Sequence, residues 1–267
     1  MNSEHLHPEG RPYTKEEFIE KIKTDKNFSN RFGNLGKIYG YQWRKWTKPT
    51  RKLSKKEGIP MPIKIEHIDQ IAEALWKLEN KPDDRRNMVS AWNPAEVDAA
   101  TLPPCHYGFQ LWTRELSLDE RFDLWFNNSK PNRDTVDHYD TLSDEERHER
   151  LNESNVPKRA VSLMWNQRSC DTPLGIPFNI ASYGALLQIF AQLSNMIPEE
   201  LIGNLGDTHI YLNQLEGVEE QLKRISHKLP TLKINTEGIT DPAQLKYEDF
   251  ELVGYVSEDK IKFPLSN

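Results

Sequence analysis
Apolar side chains fall at three-to-four-residue intervals in some stretches of the chain and at every second position in others, so helices and strands can be placed before any chemistry is considered. Phe18, Ile19 and Ile22 follow Thr14 and Glu17, a capping-box pair, and predict a helix near the N-terminus. Ile68, Ile71, Leu75 and Leu78 share one helix face, and Pro82 stops that helix. Residues 178–194 predict an apolar helix, and residues 212–227 a more charged, amphipathic one. Tyr107, Phe109 and Leu111 alternate with Gly108 and Gln110, which predicts a strand after Cys105. Residues 87–92 read as a buried strand, Val161 to Gln167 as another, and 231–235 and 250–255 as short strands that close the domain. Residues 1–13 are polar with two prolines and read as an arm, Gly33 to Gly36 as a turn, and 47–62, basic and broken by proline, as a loop.

The span 113–160 stands apart. It is dense in charge and carries two further capping boxes, Ser117 with Glu120 and Ser143 with Glu146. Phe122, Trp125 and Phe126 make an i, i+3, i+4 stripe. These features predict a helical insertion joining two strands that a hairpin would otherwise connect.

At 267 residues the chain suits one large domain or two small ones, and seven Trp and ten Phe supply a core despite the high charge. The net charge of −6 argues against a general nucleic-acid binder, which carries a basic surface, but leaves room for a local cationic pocket. The two cysteines lie far apart in different motifs, which suggests reduced thiols rather than a disulfide framework, and a cytoplasmic chain. No apolar run is long enough to cross a membrane, and Met1 to His5 lack the basic and apolar regions of a signal peptide.

Residues able to do chemistry gather in short motifs: Pro104-Cys105-His106, Arg168-Ser169-Cys170-Asp171 and Pro177-Phe178-Asn179-Ile180-Ala181-Ser182-Tyr183. They hold a thiol, a fixed cation, an acid that only accepts hydrogen bonds and an amide that can read a base edge. Those are the parts needed to add a nucleophile to a pyrimidine carrying a phosphate. Each has a plainer alternative. Cys105 fits a small buried hydrophobe; as a nucleophile it needs nearby positive charge, which Arg168 can supply. Pro103-Pro104 stiffen the approach to it. Arg85 and Arg86, read as a helix end, complement its dipole or grip a phosphate through planar guanidinium groups. Asn179 either caps the apolar helix or offers a donor and an acceptor side by side, the match for O4 and N3–H of uracil. Asp171 fits a surface turn before Pro173. His209 and Tyr211, alternate residues on a strand, share a face and fit a core. The histidines show no metal-ligand spacing, and Gly203-Asn204-Leu205-Gly206 lacks the spacing of a glycine-rich phosphate loop.

Further motifs stand in the same order as in a known family: Gly36-Lys37-Ile38-Tyr39-Gly40, Arg85-Arg86, Ser90-Ala91-Trp92-Asn93, Gly206-Asp207-Thr208-His209-Ile210-Tyr211 and Glu248-Asp249-Phe250-Glu251. With them the chain resembles the thymidylate synthases, over roughly residues 33–112 and 161–264. The resemblance implies an α+β fold, a mixed β-sheet flanked by helices, thymidylate synthase-like, with a helical insertion. In that scheme 1–32 form an N-terminal arm and helix, and 33–267 the catalytic domain with insertion 113–160. It implies an enzyme that transfers one carbon from 5,10-methylenetetrahydrofolate to C5 of dUMP, giving dTMP, in a homodimer. By resemblance, Cys105 attacks C6, Arg168 touches that sulfur and the phosphate, and Ser169 adds a hydroxyl to the phosphate. Arg85 and Arg86 reach the phosphate in the partner's site. Asn179 selects uracil, since relatives acting on dCMP carry Asp there. His209 and Tyr211 hold the 3′-hydroxyl, Asp171 the pterin of the folate, and Tyr39 serves proton removal at C5. His106 and Gln167 belong to the substrate-binding set. No metal, nucleic acid or membrane is implied, and the setting is the cytoplasm, or the host cytoplasm if the protein is phage-encoded.

Three departures accompany the resemblance. The family's N-terminal segment carries an Arg-Thr-Gly phosphate loop, a helix with the catalytic glutamate and a Trp-containing segment beside the folate. Residues 1–32 offer no equivalent, Glu16, Glu17 and Glu20 lying on a charged helix. The 113–160 insertion is longer than the usual strand connection. The tail ends Phe263-Pro264-Leu265-Ser266-Asn267 instead of in small apolar residues whose carboxylate closes over folate. These departures leave alternatives: a dUMP hydroxymethylase, in which water replaces hydride in the last step; a catalytically impaired nucleotide-binding or interaction module; and a subunit that needs a separate polypeptide for the N-terminal portion.

Overall fold
Side-chain caps start the helices where the capping boxes stand. In the computed structural model, which describes residues 7–50 and 64–266, helix α1 (Lys15–Thr24) begins at Thr14. Thr14 Oγ1 accepts from the Glu17 N–H, and the Glu17 carboxylate accepts from the Thr14 N–H. Helix α2 (Lys26–Phe32) follows, capped by Asp25, and its buried Phe28 meets the rings of Tyr13, Phe18 and Phe32. Helix α3 is Tyr39–Lys45. Residues 47–50 are not loop: β1 (Trp46–Thr50) pairs antiparallel with β2 (Lys64–Ile68), and the remainder of the expected loop, 51–62, lies outside the described residues. Pro49 is compatible with this ladder because a two-stranded ribbon leaves one edge of each strand unpaired.

Helix α4 (Gln70–Asn80) starts at Asp69 and buries Ile71, Ala74, Leu75 and Leu78. Ile68 belongs to β2, one residue before the cap. The central sheet follows, with β3 (Met88–Ser90), β4 (His106–Glu115), β5 (Arg159–Asp171) and β6 (Ile197–His209) in that spatial order. The first three are antiparallel, while β5 and β6 are parallel, so the sheet is mixed. A bulge between His106 and Gly108 shifts the phase of β4. It leaves Tyr107 exposed although Phe109 and Leu111 are buried. A Cβ on Gly108 would stand 2.9 Å from the Val89 carbonyl oxygen, so only glycine permits this approach to β3.

The insertion folds as helices α5 (Leu118–Ser129), α6 (Arg133–Asp140) and α7 (Asp144–Glu153) between the antiparallel β4 and β5. It has its own apolar cluster of Trp125, Tyr139, Leu151 and Val156. The buried Arg121 guanidinium ties it together, donating to the carbonyls of Val156 and Pro157 and to Asn152.

Helix α8 (Gly175–Leu193) is the crossover between β5 and β6. It packs Tyr183, Leu187 and Phe190 with Phe109, Leu111, Val161, Leu163 and Trp165 of the sheet and with the α4 residues, which forms the main core. Helix α9 (Leu215–Leu222) is shorter than the 212–227 pattern suggests. Leu222, Ile225 and Leu229 are exposed, so no burial holds the stripe helical beyond Leu222. Strands β7 (Thr231–Ile234) and β8 (Phe250–Val253) form a separate antiparallel pair.

Candidate active site
Cys105 sits at the mouth of β4 in a loop held through its backbone. Its N–H donates to the Tyr39 hydroxyl at 2.9 Å, and its carbonyl accepts from the Arg168 N–H at 2.8 Å. The Arg168 guanidinium donates through Nε to the Pro104 carbonyl (2.9 Å) and through Nη2 to the Pro103 carbonyl (3.1 Å), and lies over Trp92. Among the described residues, Nη1 has no hydrogen-bond partner. Cys105 is a free, half-buried thiol; Cys170 is free and fully buried.

Tyr39 reaches this loop because α3 is anchored by a network that joins distant motifs. Glu96 binds Lys37, and accepts from Gln42 and Asn93, each at 3.0 Å. Burial raises the Glu96 carboxyl, but the bonds from Lys37 and Gln42 outweigh it and hold the group below its ordinary range. Burial, the largest influence on the Tyr39 phenol, pushes it up, so it is protonated at neutral pH.

His106 stacks on Tyr39, with ring centroids 4.1 Å apart and planes 14° from parallel. Its Nδ1 lies 2.7 Å from the Tyr183 hydroxyl, which donates or accepts according to the imidazole tautomer. Both rings line an apolar cleft of about 210 Å³ with Trp43, Leu186, Ile189 and Phe250. Desolvation there lowers the imidazole to about 4, so His106 is neutral throughout the physiological range. Because the folded value lies below the ordinary 6.5, the associated stability is complete above pH 6.5 and is lost as the pH falls toward 4. An NMR titration is expected to give a midpoint near 4 for this histidine; one near 6.5 would contradict the buried setting.

On β5, Trp165 and Gln167 face α8. Gln167 Nε2 donates to the Ser169 carbonyl (2.9 Å) and to Asn179 Oδ1 (3.1 Å). Asn179 does not cap α8: it is the fifth residue of a helix that begins at Gly175. No side chain caps α8; Asp171 closes the turn that precedes it, accepting from the Leu174 N–H at 3.2 Å. Its carboxylate also accepts from Gln214 Nε2, which donates in addition to the Pro264 carbonyl at 3.2 Å. The C-terminal segment, through Ser266, is thus docked beside Asp171, with Phe263 against Gly217; Asn267 lies outside the described residues.

His209 pairs with Asp171 across the β5–β6 ladder. It ends β6, so Tyr211 lies beyond the strand and the expected shared strand face does not exist. The rings nonetheless meet edge-to-face at 4.9 Å, because the chain turns after His209. Arg85 and Arg86 do not end a helix either. α4 stops at Asn80, and the pair occupies the turn before β3, where Asp84 accepts from Arg86 Nε. Neither joins the Cys105 cluster, and the Arg86 side chain is 90% exposed.

Two positions have no role assigned from the sequence, although Tyr183 ends one of the quoted motifs. Tyr183 lies four residues after Asn179, a spacing that puts both on one helix face and was a usable signal. Gln214, buried in a short turn of 3-10 helix, carries no such mark. Among the described residues, no helix is long and apolar enough to cross a membrane, and no three His, Cys, Asp or Glu side chains converge as a metal site.

Comparison with known proteins agrees with the motifs and extends them. The family model described as thymidylate synthase matches residues 14–126 and 148–267. The match takes in α1, α2 and much of the insertion, which the motif-based resemblance left aside, and omits only 127–147 of the interior. The chain is 37% identical over 246 residues to a thymidylate synthase of Mycoplasma mobile, an alignment that covers 92% of this chain and 64% of that relative. The chain therefore spans somewhat less than two thirds of the relative's length. A mixed sheet crossed by one long helix, a thiol loop at the head of β4 and a matching family sequence over most of its length lead to one conclusion: this chain belongs to the thymidylate synthase family.

Proposed function
We propose that the chain binds dUMP and transfers one carbon from 5,10-methylenetetrahydrofolate to its C5, producing dTMP. The observation that carries this reading is the cluster in which Tyr39 and Arg168 hold the Cys105 loop and His106 stacks on Tyr39, linked through Tyr183 and Trp165 to the Gln167-bound amide of Asn179. In the proposed reaction the Cys105 thiolate adds to C6 of the pyrimidine, and the electron pair moves to C5 and O4 as an enolate. C5 then takes up the one-carbon unit. Tyr39, through water, would remove the C5 proton as the folate nitrogen leaves; the exocyclic methylene so formed would take a hydride, and the electron pair returned to C5 would expel the Cys105 thiolate. When bound, the folate supplies the carbon and, in methyl transfer, the hydride. The residues around Asp171 suit its pterin: the carboxylate has acceptor capacity beyond its bonds to Leu174 and Gln214, and the docked C-terminal segment is adjacent.

Arg168, through Nη1, and Ser169 would hold the phosphate, and His209 and Tyr211 the sugar. A homodimer would let Arg85 and Arg86 reach the partner's phosphate. Supporting it, Met88, Gln110, Met164 and Ile202 align across the four strands on the sheet face away from α8, and Met88, Trp112 and Ile202 are exposed there. The 33–267 segment would form the catalytic domain, working in the cytoplasm.

The test is mass spectrometry of the product from dUMP and methylenetetrahydrofolate. The mass of dTMP is expected. A 5-hydroxymethyl product would replace methyl transfer with hydroxymethylation, which the similarity to a thymidylate synthase does not favour. Absence of both a product and a covalent adduct with 5-fluoro-dUMP would overturn the enzymatic reading.

A further inference from the structure
An amide side chain has nearly the same outline either way round, so what Asn179 offers a ligand depends on what fixes its orientation. The fixing begins at Trp165. Its indole N–H, a donor only, lies 3.2 Å from Gln167 Oε1. Gln167 must therefore turn Nε2 toward the Ser169 carbonyl and Asn179 Oδ1. Asn179 is left with its Nδ2 amino group and the remaining Oδ1 lone pair. Trp165 and Gln167 are 4% and 3% exposed, so water does not readily substitute for the indole.

The indole is itself seated by two neighbours. It stacks on Tyr183 at 5.4 Å, with planes 11° apart. Gly203, which pairs with Trp165 across the β5–β6 ladder, is the second neighbour: a Cβ there would stand 2.5 Å from both Cζ2 and Cη2 of the ring. Glycine is needed there to leave room for the ring.

We propose that Trp165 is a positioning residue for base selection: through Gln167 it fixes the donor–acceptor edge that Asn179 presents, and Gly203 provides the seat it needs. This rests on the reading of Asn179 as the group that distinguishes uracil from cytosine. Without the indole N–H, Gln167 Oε1 is unpaired in a dry site, and its amide rotates away from the geometry that holds Asn179.

The experiment compares dissociation constants for dUMP and dCMP in the full chain, its Trp165→Phe and Gly203→Ala variants and the double variant, with thermal melts to establish folding. Phenylalanine keeps a ring on Tyr183 but has no N–H. The dUMP-over-dCMP preference is expected to fall about tenfold in Trp165→Phe, equivalent to about 1.4 kcal/mol. It is expected to fall also in Gly203→Ala, although that residue makes no contact with Gln167 or Asn179 in the network. The double variant should discriminate no worse than Trp165→Phe alone, because phenylalanine lacks the Cζ2 and Cη2 atoms a new methyl would strike. A merely structural role would weaken both nucleotides alike and leave the ratio unmoved. An unchanged ratio in folded Trp165→Phe, or in folded Gly203→Ala should the first variant not fold, overturns the proposal. A wild-type chain with no preference for dUMP overturns instead the underlying reading of Asn179, and shows itself before any variant is compared.

Discussion

Cys105→Ser is expected to lower turnover by at least about a thousandfold while leaving the dissociation constant for dUMP within a few-fold of wild type. Serine is nearly isosteric, and the loop is held by main-chain groups. Tyr39 takes the Cys105 N–H, and Arg168 takes the carbonyls of Pro103, Pro104 and Cys105. The substitution therefore removes nucleophilic character without releasing the loop. Single-turnover kinetics and equilibrium binding check it together. Equal loss of turnover and binding would mean that the sulfur serves structure rather than bond formation. Arg168 has a different profile: its guanidinium holds two carbonyls of the same loop, so its removal would disturb geometry as well as charge.

Asn179→Asp is expected to reduce the preference for dUMP over dCMP by about a hundredfold or more, with dCMP binding improved. Asn179 Oδ1 already accepts from Gln167 Nε2, a bond that a carboxylate oxygen preserves. The other terminal atom changes from an N–H donor to an acceptor. It would then face the uracil O4 acceptor, an unpaired and repulsive contact, whereas the cytosine amino group would be a matched donor. The ratio of kcat/KM for the two nucleotides measures it. An unchanged ratio would remove Asn179 from substrate selection.

Local devices were readable along the chain. The capping boxes at Thr14, Ser117 and Ser143 start α1, α5 and α7, because a hydroxyl and a carboxylate three residues apart satisfy free helix N–H groups wherever they occur. The alternation around Phe109 and Leu111 marks β4, and the charged, capped stretch between β4 and β5 is the helical insertion. Features that depend on remote partners were hidden. Most of β6 shows no burial rhythm because it is an exposed edge strand, held by pairing with β5 and not by a buried face. Asn179 sits beyond the first turn of α8 because the helix starts at Gly175, directly after the turn closed by Asp171 and Leu174. Gln42 and Glu96, which anchor α3 and with it Tyr39, meet across more than fifty residues of intervening chain.

Residue order alone supplied the chemical kit: a thiol, guanidinium groups, an amide and a carboxylate in an order that resembles one family. It also marked the starts of helices, since capping acts within a single turn. Folding into three dimensions set the remaining properties: a neutral imidazole at His106, the direction in which the Gln167 and Asn179 amides point, and the placement of Arg85 and Arg86 away from the thiol. These depend on desolvation and hydrogen-bond direction, and both exist only once groups far apart along the chain exclude water from one another.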